Sequence, residues 1–235
     1  MTGQAVVIGA SGGIGRALVD RLIDSGRFDR IHALARRSIA IKGAESGHID
    51  LGSEDSIAQA ARRISPEVDC LIVASGVLHG SNIKPERALR DLDGAQLAQI
   101  FAVNTIGPAL VLKHFAPLMA RDRRAIIGIL SARVGSISDN RLGGWYGYRA
   151  SKAALNMIVK CAAIELGRTR PHTICVGLHP GTVDTALSVP FQRGVPADKL
   201  FTATHAAACL MTTLDGLDDT ASGQCFAWDG APITP

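Results

Sequence analysis

The chain of 235 residues has few aromatic side chains and no concentration of charge of either sign. Aromatic residues make up 4% of it, and the net charge is +4, with 25 Lys and Arg spread along the sequence. A nucleic-acid groove needs a basic stripe and aromatic side chains on which bases stack. The composition therefore argues against nucleic acid as a partner.

Cysteine is also scarce, and the five residues at positions 70, 161, 175, 209 and 225 form no Cys-x-x-Cys pair. An odd number of widely spaced cysteines suits no closed disulfide framework. Each cysteine lies in an apolar segment, so we expect buried, reduced thiols, which are typical of the cytosol. We expect no metal site.

Targeting and membrane signals are missing from the sequence as well. The opening "MTGQAVVIGA" enters an apolar strand without the basic region and cleavage site of a signal peptide. No apolar run approaches the ~20 residues that a membrane span needs. We therefore expect a soluble cytoplasmic protein that binds no membrane.

Short β-branched runs alternate with longer helical patterns along the chain. The predicted strands cover 5–8, 31–35, 47–49, 69–75, 124–130, 172–178 and 223–229, and the predicted helices cover 14–26, 53–64, 94–120, 147–168 and 196–214. Strands that are apolar throughout and separated by helices imply a parallel sheet covered on both faces. The pattern predicts one α/β domain over 1–235 with a doubly wound parallel sheet of about seven strands.

A glycine-rich segment, "VVIGASGGIGRAL", joins the first strand to the first helix and contains Gly9, Gly13 and Gly15. Glycine there permits a tight turn, close approach of the backbone to a pyrophosphate, and close packing of helix on strand. The N-terminus of the helix presents free N–H groups to the phosphates. In this position the segment indicates dinucleotide binding by a Rossmann fold.

A second motif, "YGYRASK", places Tyr148 and Lys152 one helical turn apart on one face. A free phenol has a pKa near 10 and is a poor acid–base group at neutral pH, but a nearby ammonium lowers that pKa. Tyr148 can then give a proton to a carbonyl oxygen or remove one from an alcohol. A Tyr and a Lys at this spacing also occur by chance, so the motif depends on its context for its meaning.

Together, the Gly-x-x-x-Gly-x-Gly loop and "YRASK" resemble the short-chain dehydrogenase/reductase family over essentially the whole chain. The segments "NTIGPALVLKHFAPLM" and "SARVGSISDN" look most like the branch of the C-factor signalling protein and sniffer-type carbonyl reductases. The resemblance implies NADPH-dependent reduction of aldehydes and ketones, with Tyr148 as the acid–base group. Lys152 would also hold the nicotinamide ribose, and Asn104 would hold a water in a proton relay.

The end of the second strand points to NADP(H) rather than NAD(H). An acidic residue there would bind the ribose 2′-hydroxyl of NAD, whereas "ALARRS" has Arg36 and Arg37, which suit a 2′-phosphate. Asp50 would meet the adenine, although it also stands near the N-cap position of helix 53–64. The cofactor-binding residues that we predict are Gly9, Ser11, Gly13, Ile14, Gly15, Arg36, Arg37, Asp50, Leu51, Ala74, Gly76, Asn104, Tyr148, Lys152, Pro180, Gly181, Val183 and Thr185.

The sequence departs from the family pattern in two places. Val73 and Ala74 stand where relatives have two asparagines, and Ala132 replaces the serine that donates a hydrogen bond to the substrate oxygen. Loss of such a donor typically lowers the rate by two to three powers of ten. We predict that Ser131 supplies the hydroxyl, with Ser136 as the alternative.

Two functions from different classes fit these residues. The first is an NADP(H)-dependent oxidoreductase that interconverts a carbonyl compound and an alcohol. The second is a non-catalytic NADP-binding signalling protein, favoured by Ala132 and opposed by Tyr148, Lys152 and Asn104. Too little chain follows "HPGTVDT" for the substrate domain of a nucleotide-sugar epimerase.

The substrate side of the site is less defined in the sequence. We expect a mobile lid near 183–196, a pocket wall at Trp145, and solvated or substrate-facing side chains at His79 and Arg133. Helix 147–168 is apolar nearly all round, which indicates burial on more than one side and hints at a homodimer or homotetramer.

Overall fold

The structure, a computed structural model, describes residues 3–235 and contains ten strands and six α-helices in that part of the chain. The strands are β1 Gln4–Ile8, β2 Arg30–Ala35, β3 Glu45–His48, β4 Cys70–Val73, β5 Ala125–Leu130, β6 Thr173–His179, β7 Thr182–Val183, β8 Leu200–Phe201, β9 Cys225–Ala227 and β10 Pro232–Ile233. The α-helices are α1 Gly13–Ser25, α2 Glu54–Arg62, α3 Gly94–Phe101, α4 Gly107–Phe115, α5 Tyr146–Thr169 and α6 Ala203–Gly216.

Eight of the strands form one sheet in the order β10-β9-β6-β5-β4-β1-β2-β3. All neighbours run parallel except β9 and β10. The predicted α/β fold with a doubly wound sheet is therefore confirmed, with eight strands rather than about seven. The missed strand, β10, has two residues and begins with a proline, so it carries no strand pattern. Strands β7 and β8 form a separate two-stranded sheet.

The core has two halves, one on each face of the sheet. Val6 and Ile8 pack with α2, α4 and α5, whereas Ala5 and Val7 pack with α1 and α6. Successive side chains of a strand point to opposite faces, and here both faces are covered. This explains why the central strands β1, β4 and β5 are apolar at nearly every position, whereas the edge strand β3 is polar and mostly exposed.

Two of the predicted helices differ from the observed ones. The predicted helix 94–120 is divided into α3, a π-helical turn at Ala102–Ile106 and α4. The predicted helix 196–214 begins only at Ala203, where the side chain of Thr202 accepts a hydrogen bond from His205 N at 3.1 Å. Such a threonine cap defines the start of a helix. The residues before it belong to β8 and a short turn.

The segment Gly94–Leu118 corrects the expectation that no apolar run could span a membrane. Its 25 residues, with a mean hydropathy of 1.4 in the most apolar window, suffice by length and composition. This is weak support for a membrane helix, because core helices of globular proteins meet the same criteria. Val111 and Phe115 of this segment are buried in the core.

The cysteines are all free thiols, but they are not all buried. Cys70, Cys175 and Cys225 are buried as expected, whereas Cys161 is exposed and Cys209 is half-buried. An apolar helical segment does not reveal in its composition which of its faces meets solvent. Within residues 3–235 there is no group of three or more His, Cys, Asp or Glu placed to hold a metal ion.

Helix α5 is apolar around most of its circumference, yet a single chain buries only part of it. Leu155 and Val159 lie in the core, whereas Met157 is 63% and Ile164 50% exposed. The expectation that this helix is buried on more than one side is therefore not met within one chain.

Candidate functional site

A cavity of about 570 Å³ lies at the carboxyl ends of β1, β2 and β4. The order of the sheet reverses between β1 and β4, and ligands of doubly wound sheets bind at such a switch point. The predicted cofactor residues that line the cavity are Gly9, Ser11, Arg36, Arg37, Asp50, Leu51, Ala74 and Gly76. Four separate segments of the sequence therefore meet in one crevice.

The glycine loop passes close to its neighbours at every glycine that the motif contains. A Cβ on Gly9, whose φ is +90°, would lie 2.6 Å from Ala74 O, and a Cβ on Gly15 would overlap Gly9 O. A Cβ on Gly13 would lie 2.8 Å from Thr185 Cγ2. The packing of the loop therefore requires glycine at these positions, and Thr185 lies beside it.

The two arginines after β2 are exposed and line the cavity. Within residues 3–235, neither Arg36 nor Arg37 takes part in an ion pair or a side-chain hydrogen bond. Their guanidinium groups are thus available to an anion at this end of the crevice.

Asp50 lines the same end of the cavity, and its Oδ1 accepts a hydrogen bond from Gly52 N at 2.9 Å. It is not the cap of α2. That role belongs to Ser53, whose hydroxyl oxygen accepts a hydrogen bond from Ser56 N at 3.3 Å. The alternative interpretation of Asp50 as an N-cap is therefore wrong.

Asn104 is fully buried in the π-helical turn between α3 and α4. Its Oδ1 accepts a hydrogen bond from Val77 N and its Nδ2 donates one to Val77 O, both at 2.8 Å, while Nδ2 also approaches Ser151 Oγ at 3.1 Å. The helix is irregular at this asparagine, and such π turns often occur at functional sites. Asn104 joins the loop after β4 to α5.

Tyr148 and Lys152 lie in the first two turns of α5. Lys152 is 2% exposed, and its Nζ donates a hydrogen bond to Leu130 O at 2.8 Å and lies 5.9 Å from the centroid of the Tyr148 ring. A Cβ on Gly76 would be 3.6 Å from Lys152 Nζ and 3.5 Å from Asn104 Oδ1. Gly76 therefore connects the wall of the cavity with these polar side chains.

The ionisation of the pair differs from what its spacing predicts. Burial raises the pKa of Tyr148 to about 12 and lowers the pKa of Lys152 to about 8. The expectation that the ammonium lowers the phenol pKa is therefore corrected, because desolvation outweighs an ammonium 5.9 Å from the ring. At neutral pH the phenol carries its proton, which suits an acid, and the amine is mostly charged.

Three residues after β5 concern the missing donor, and they differ in whether they have a hydroxyl hydrogen to give. Ser131 is 4% exposed, and its Oγ donates to Asn156 Oδ1 at 2.6 Å. The hydroxyl oxygen of Ser136 accepts a hydrogen bond from Asp139 N at 3.1 Å and so closes a turn. The Ser131 contact uses the hydroxyl hydrogen and so does not support its predicted role as a donor to the substrate. Ser136 only accepts in its contact with Asp139, so its role as the alternative donor stays a prediction, and Ala132 has nothing to donate.

An aromatic cover extends from Tyr148 to the segment 183–196. Ring centroids are 6.3 Å apart for Trp145 and Tyr148, 4.9 Å for Trp145 and Phe191, and 5.6 Å for Phe191 and His79. His79 Nε2 lies 3.1 Å from Ala186 O, so this side chain contacts the segment rather than open solvent. Trp145 contacts the rings of Tyr148 and Phe191, and its role as a pocket wall stays a prediction.

Several predicted and unpredicted residues lie outside these groups. Arg133 is half-exposed and its Nη1 is 3.5 Å from Asp139 Oδ2. The predicted cofactor residues that do not line the cavity are Gly13, Ile14, Gly15, Asn104, Tyr148, Lys152, Pro180, Gly181, Val183 and Thr185. The cavity is also lined by Ser75, Gln99 and Val103, which were not predicted from the sequence. Gln99 and Val103 are four positions apart, just before Asn104, and this spacing indicates that the two side chains share one face of a helix.

The comparisons with known proteins agree with this geometry. A family model described as short chain dehydrogenase matches residues 4–195. The 1-hydroxy-2-glutathionyl-2-methyl-3-butene dehydrogenase of Rhodococcus sp. (strain AD45) is 31% identical over 233 residues, 96% of each chain. The C-signal protein of Myxococcus xanthus is 33% identical over 147 residues, 62% of this chain and 82% of that protein.

Solved structures share the same fold. The NADPH-bound carbonyl reductase from chicken fatty liver superimposes with a TM-score of 0.86 at 23% identity, and the carbonyl reductase Sniffer of D. melanogaster with 0.85 at 21%, each over the full length of both chains. At these identities the likeness shows the fold, whereas the family model covers most of the chain. The chain therefore belongs to the short-chain dehydrogenase family, and among its relatives are C-signal and, by structure, sniffer-type carbonyl reductases.

Proposed function

We propose that this oxidoreductase uses NADP(H) to interconvert an aldehyde or ketone and an alcohol, with Tyr148 as the acid–base group and Lys152 as its partner. The observation that carries the proposal is the position of this pair. Lys152 Nζ lies within reach of Gly76, and Gly76 is part of the wall of the dinucleotide-sized cavity.

The residues of the cavity fit NADP(H). Gly9, Gly13 and Gly15 permit the close packing of this loop, because a Cβ at each would collide with neighbouring protein atoms, and the loop would hold the pyrophosphate at the N-terminus of α1. Arg36 and Arg37 would bind the 2′-phosphate. When bound, NADPH supplies the hydride. Its presence in the carbonyl reductase from chicken fatty liver, and that of NADP in a Burkholderia multivorans relative, support the same cofactor here.

The proton chemistry belongs to the side chains of α5. In the direction of reduction, the protonated Tyr148 gives its proton to the carbonyl oxygen, and the charged Lys152 stabilises the phenolate that results. Lys152 would also donate to the ribose hydroxyls, while Asn104 keeps the loop after β4 in register with α5. A phenol with a pKa of about 12 is protonated at neutral pH, which is the form that can give a proton to a carbonyl oxygen.

The substrate binds beneath Trp145 and Phe191, which form an apolar cover, so we propose a moderately hydrophobic carbonyl compound. The segment 183–196, which carries Phe191, acts as a mobile lid. The Rhodococcus relative is named for a substrate that carries a glutathionyl group, so conjugated compounds belong among the test substrates.

Assembly and location follow from the family and from α5. We propose a homodimer or homotetramer in the cytoplasm, in which the exposed side chains of Met157 and Ile164 are covered by a neighbouring subunit. Sedimentation analysis of the wild type and of Met157→Glu tests this, since the charge would shift the protein toward the monomer.

The function is tested with purified protein, NADPH and a panel of aldehydes, ketones and quinones. We expect cofactor oxidation by the wild type and a loss of roughly 10²-fold or more in Tyr148→Phe, the size that a general acid contributes. Tyr146→Phe is the matched control, because Tyr146 is the other tyrosine of the chain and lies on the same helix. Equal turnover by wild type and Tyr148→Phe would rule out the acid–base role.

The cofactor preference is tested separately with Arg36→Ser and Arg37→Ser. Loss of the guanidinium groups should raise KM for NADPH and leave KM for NADH nearly unchanged. A parallel change for both cofactors would argue against a 2′-phosphate contact.

A non-catalytic NADP-binding signalling protein remains the second candidate, supported by Ala132 and by the similarity to C-signal. Tight binding of NADPH without turnover of any compound in the panel would favour it.

A further inference from the structure

Glu86, in the loop between β4 and α3, is a buried carboxylate that is only 2% exposed. Its Oε2 accepts a hydrogen bond from Gly147 N at 3.2 Å, while its Oε1 is buried without a hydrogen-bond partner. No ion pair within residues 3–235 includes Glu86. Burying an unpaired carboxylate is costly, so a specific interaction must offset that cost.

The N-terminus of α5 provides such an interaction. Its N-cap residue, Trp145, has no side-chain cap and adopts the left-handed conformation with φ 50°. The main-chain oxygen of Glu86 accepts a hydrogen bond from Trp145 N at 2.6 Å. The positive end of the helix macrodipole also lies here, and a carboxylate is favourable beside it. Glu86 thus supplies, from 61 residues away, the cap that the local sequence lacks.

The contact leaves no space for movement. A Cβ on Gly147 would lie 2.8 Å from Glu86 Oε1 and 2.9 Å from the side chains of Leu97 and Ile100. The carboxylate and two side chains of α3 therefore pack closely against Gly147 in the first turn of α5. Tyr148 is the next residue along the helix, so any shift of this turn moves its phenol.

We propose that Glu86 is a positioning residue for Tyr148. It holds the first turn of α5 by its carboxylate and the Trp145 turn by its main chain, without touching the substrate. The catalytic part of this inference rests on the proposed function. A displacement of about 1 Å at a reacting group can lower a rate by roughly 10²-fold.

The test compares Glu86→Ala, Glu86→Gln and the control Glu165→Gln, which changes an exposed carboxylate on α5. We expect Glu86→Ala to lose roughly 10²-fold in kcat while KM for NADPH stays the same, because the cavity is intact. Glu86→Gln retains an acceptor for Gly147 N–H and should recover most of the loss. Glu165→Gln should match the wild type. Thermal unfolding establishes that each variant is folded at the assay temperature.

Hydrogen exchange gives a readout that is independent of turnover. The amides of 146–149 should exchange faster in Glu86→Ala than in the wild type, whereas those of the last turns of α5 should not. If no carbonyl is reduced by the wild type, the proposed function fails, and this exchange pattern still tests whether Glu86 holds α5.

The inference is overturned if folded Glu86→Ala keeps the wild-type kcat, or if the decrease in its kcat is fully explained by the fraction of the protein that is unfolded. It is equally overturned if kcat falls as much in Glu86→Gln as in Glu86→Ala while the amides of 146–149 exchange at the wild-type rate in both variants. If Glu86→Ala does not fold, Glu86→Asp is used instead, because its shorter side chain moves the acceptor away from Gly147 N and keeps the charge. Wild-type kcat and exchange in Glu86→Asp would then reject the role.

Discussion

The ammonium of Lys152 is a buried charge that should lower the stability of this protein. It is 2% exposed, and its hydrogen bond to Leu130 O is the contact that compensates for lost hydration. Burial lowers its pKa from the ordinary 10.5 to about 8, opposed only by the nearby thiol of Cys225. The informative perturbation is Lys152→Met, which removes the charge and keeps an unbranched side chain.

The sign and size of the effect follow from proton linkage. Because the pKa of Lys152 is lower in the folded chain, the unfolded chain binds more protons between about pH 8 and 10.5. The free energy of unfolding therefore rises with pH across this window, and the full cost applies below it. The difference between 10.5 and about 8 corresponds to roughly 3 kcal/mol, at about 1.4 kcal/mol per pKa unit. About 2 kcal/mol of this destabilisation should disappear as the pH rises from 7 to 9.5.

Urea unfolding at several pH values measures this relief. The free energy of unfolding of the wild type, minus that of Lys152→Met, should increase by about 2 kcal/mol from pH 7 to 9.5. Lys160→Met, at an exposed position of the same helix, should follow the wild type. Parallel pH dependence of wild type and Lys152→Met would refute the reasoning, since it would mean that the amine has the same pKa in both states.

Three further outcomes are expected. Ala132→Ser should raise kcat/KM for carbonyl reduction, by up to roughly 10²-fold if a donor is restored; no gain in steady-state assays would show that the missing donor does not limit the rate. Ser131→Ala should lower the free energy of unfolding by about 1–3 kcal/mol, because Asn156 Oδ1 loses its buried donor, and should change kcat little. A large drop in kcat in a stable Ser131→Ala protein would instead support catalysis by Ser131. Gly15→Ala should weaken NADPH binding in fluorescence titrations, because its Cβ would overlap Gly9 O and displace the loop, and unchanged affinity would contradict that packing.

The local sequence was sufficient for the repeating features of the fold. Alternation of apolar strands with helices predicted the α/β class, because covering both faces of a sheet requires apolar residues at every strand position. The glycine loop and the Tyr148–Lys152 pair could also be recognised in the sequence, because each consists of residues that lie close together along the chain. The breaks at Asn104 and Thr202 were harder to place, since apolar periodicity continues across them.

Tertiary structure decided the properties that depend on contacts between distant segments. The pKa values of Tyr148 and Lys152 are set by burial, which cannot be predicted from the spacing of the two residues. The bond from Ser131 to Asn156 and the cap that Glu86 places on α5 join residues 25 and 61 positions apart. Desolvation and long-range hydrogen bonding depend on what surrounds a group, and a linear pattern records only which groups are present.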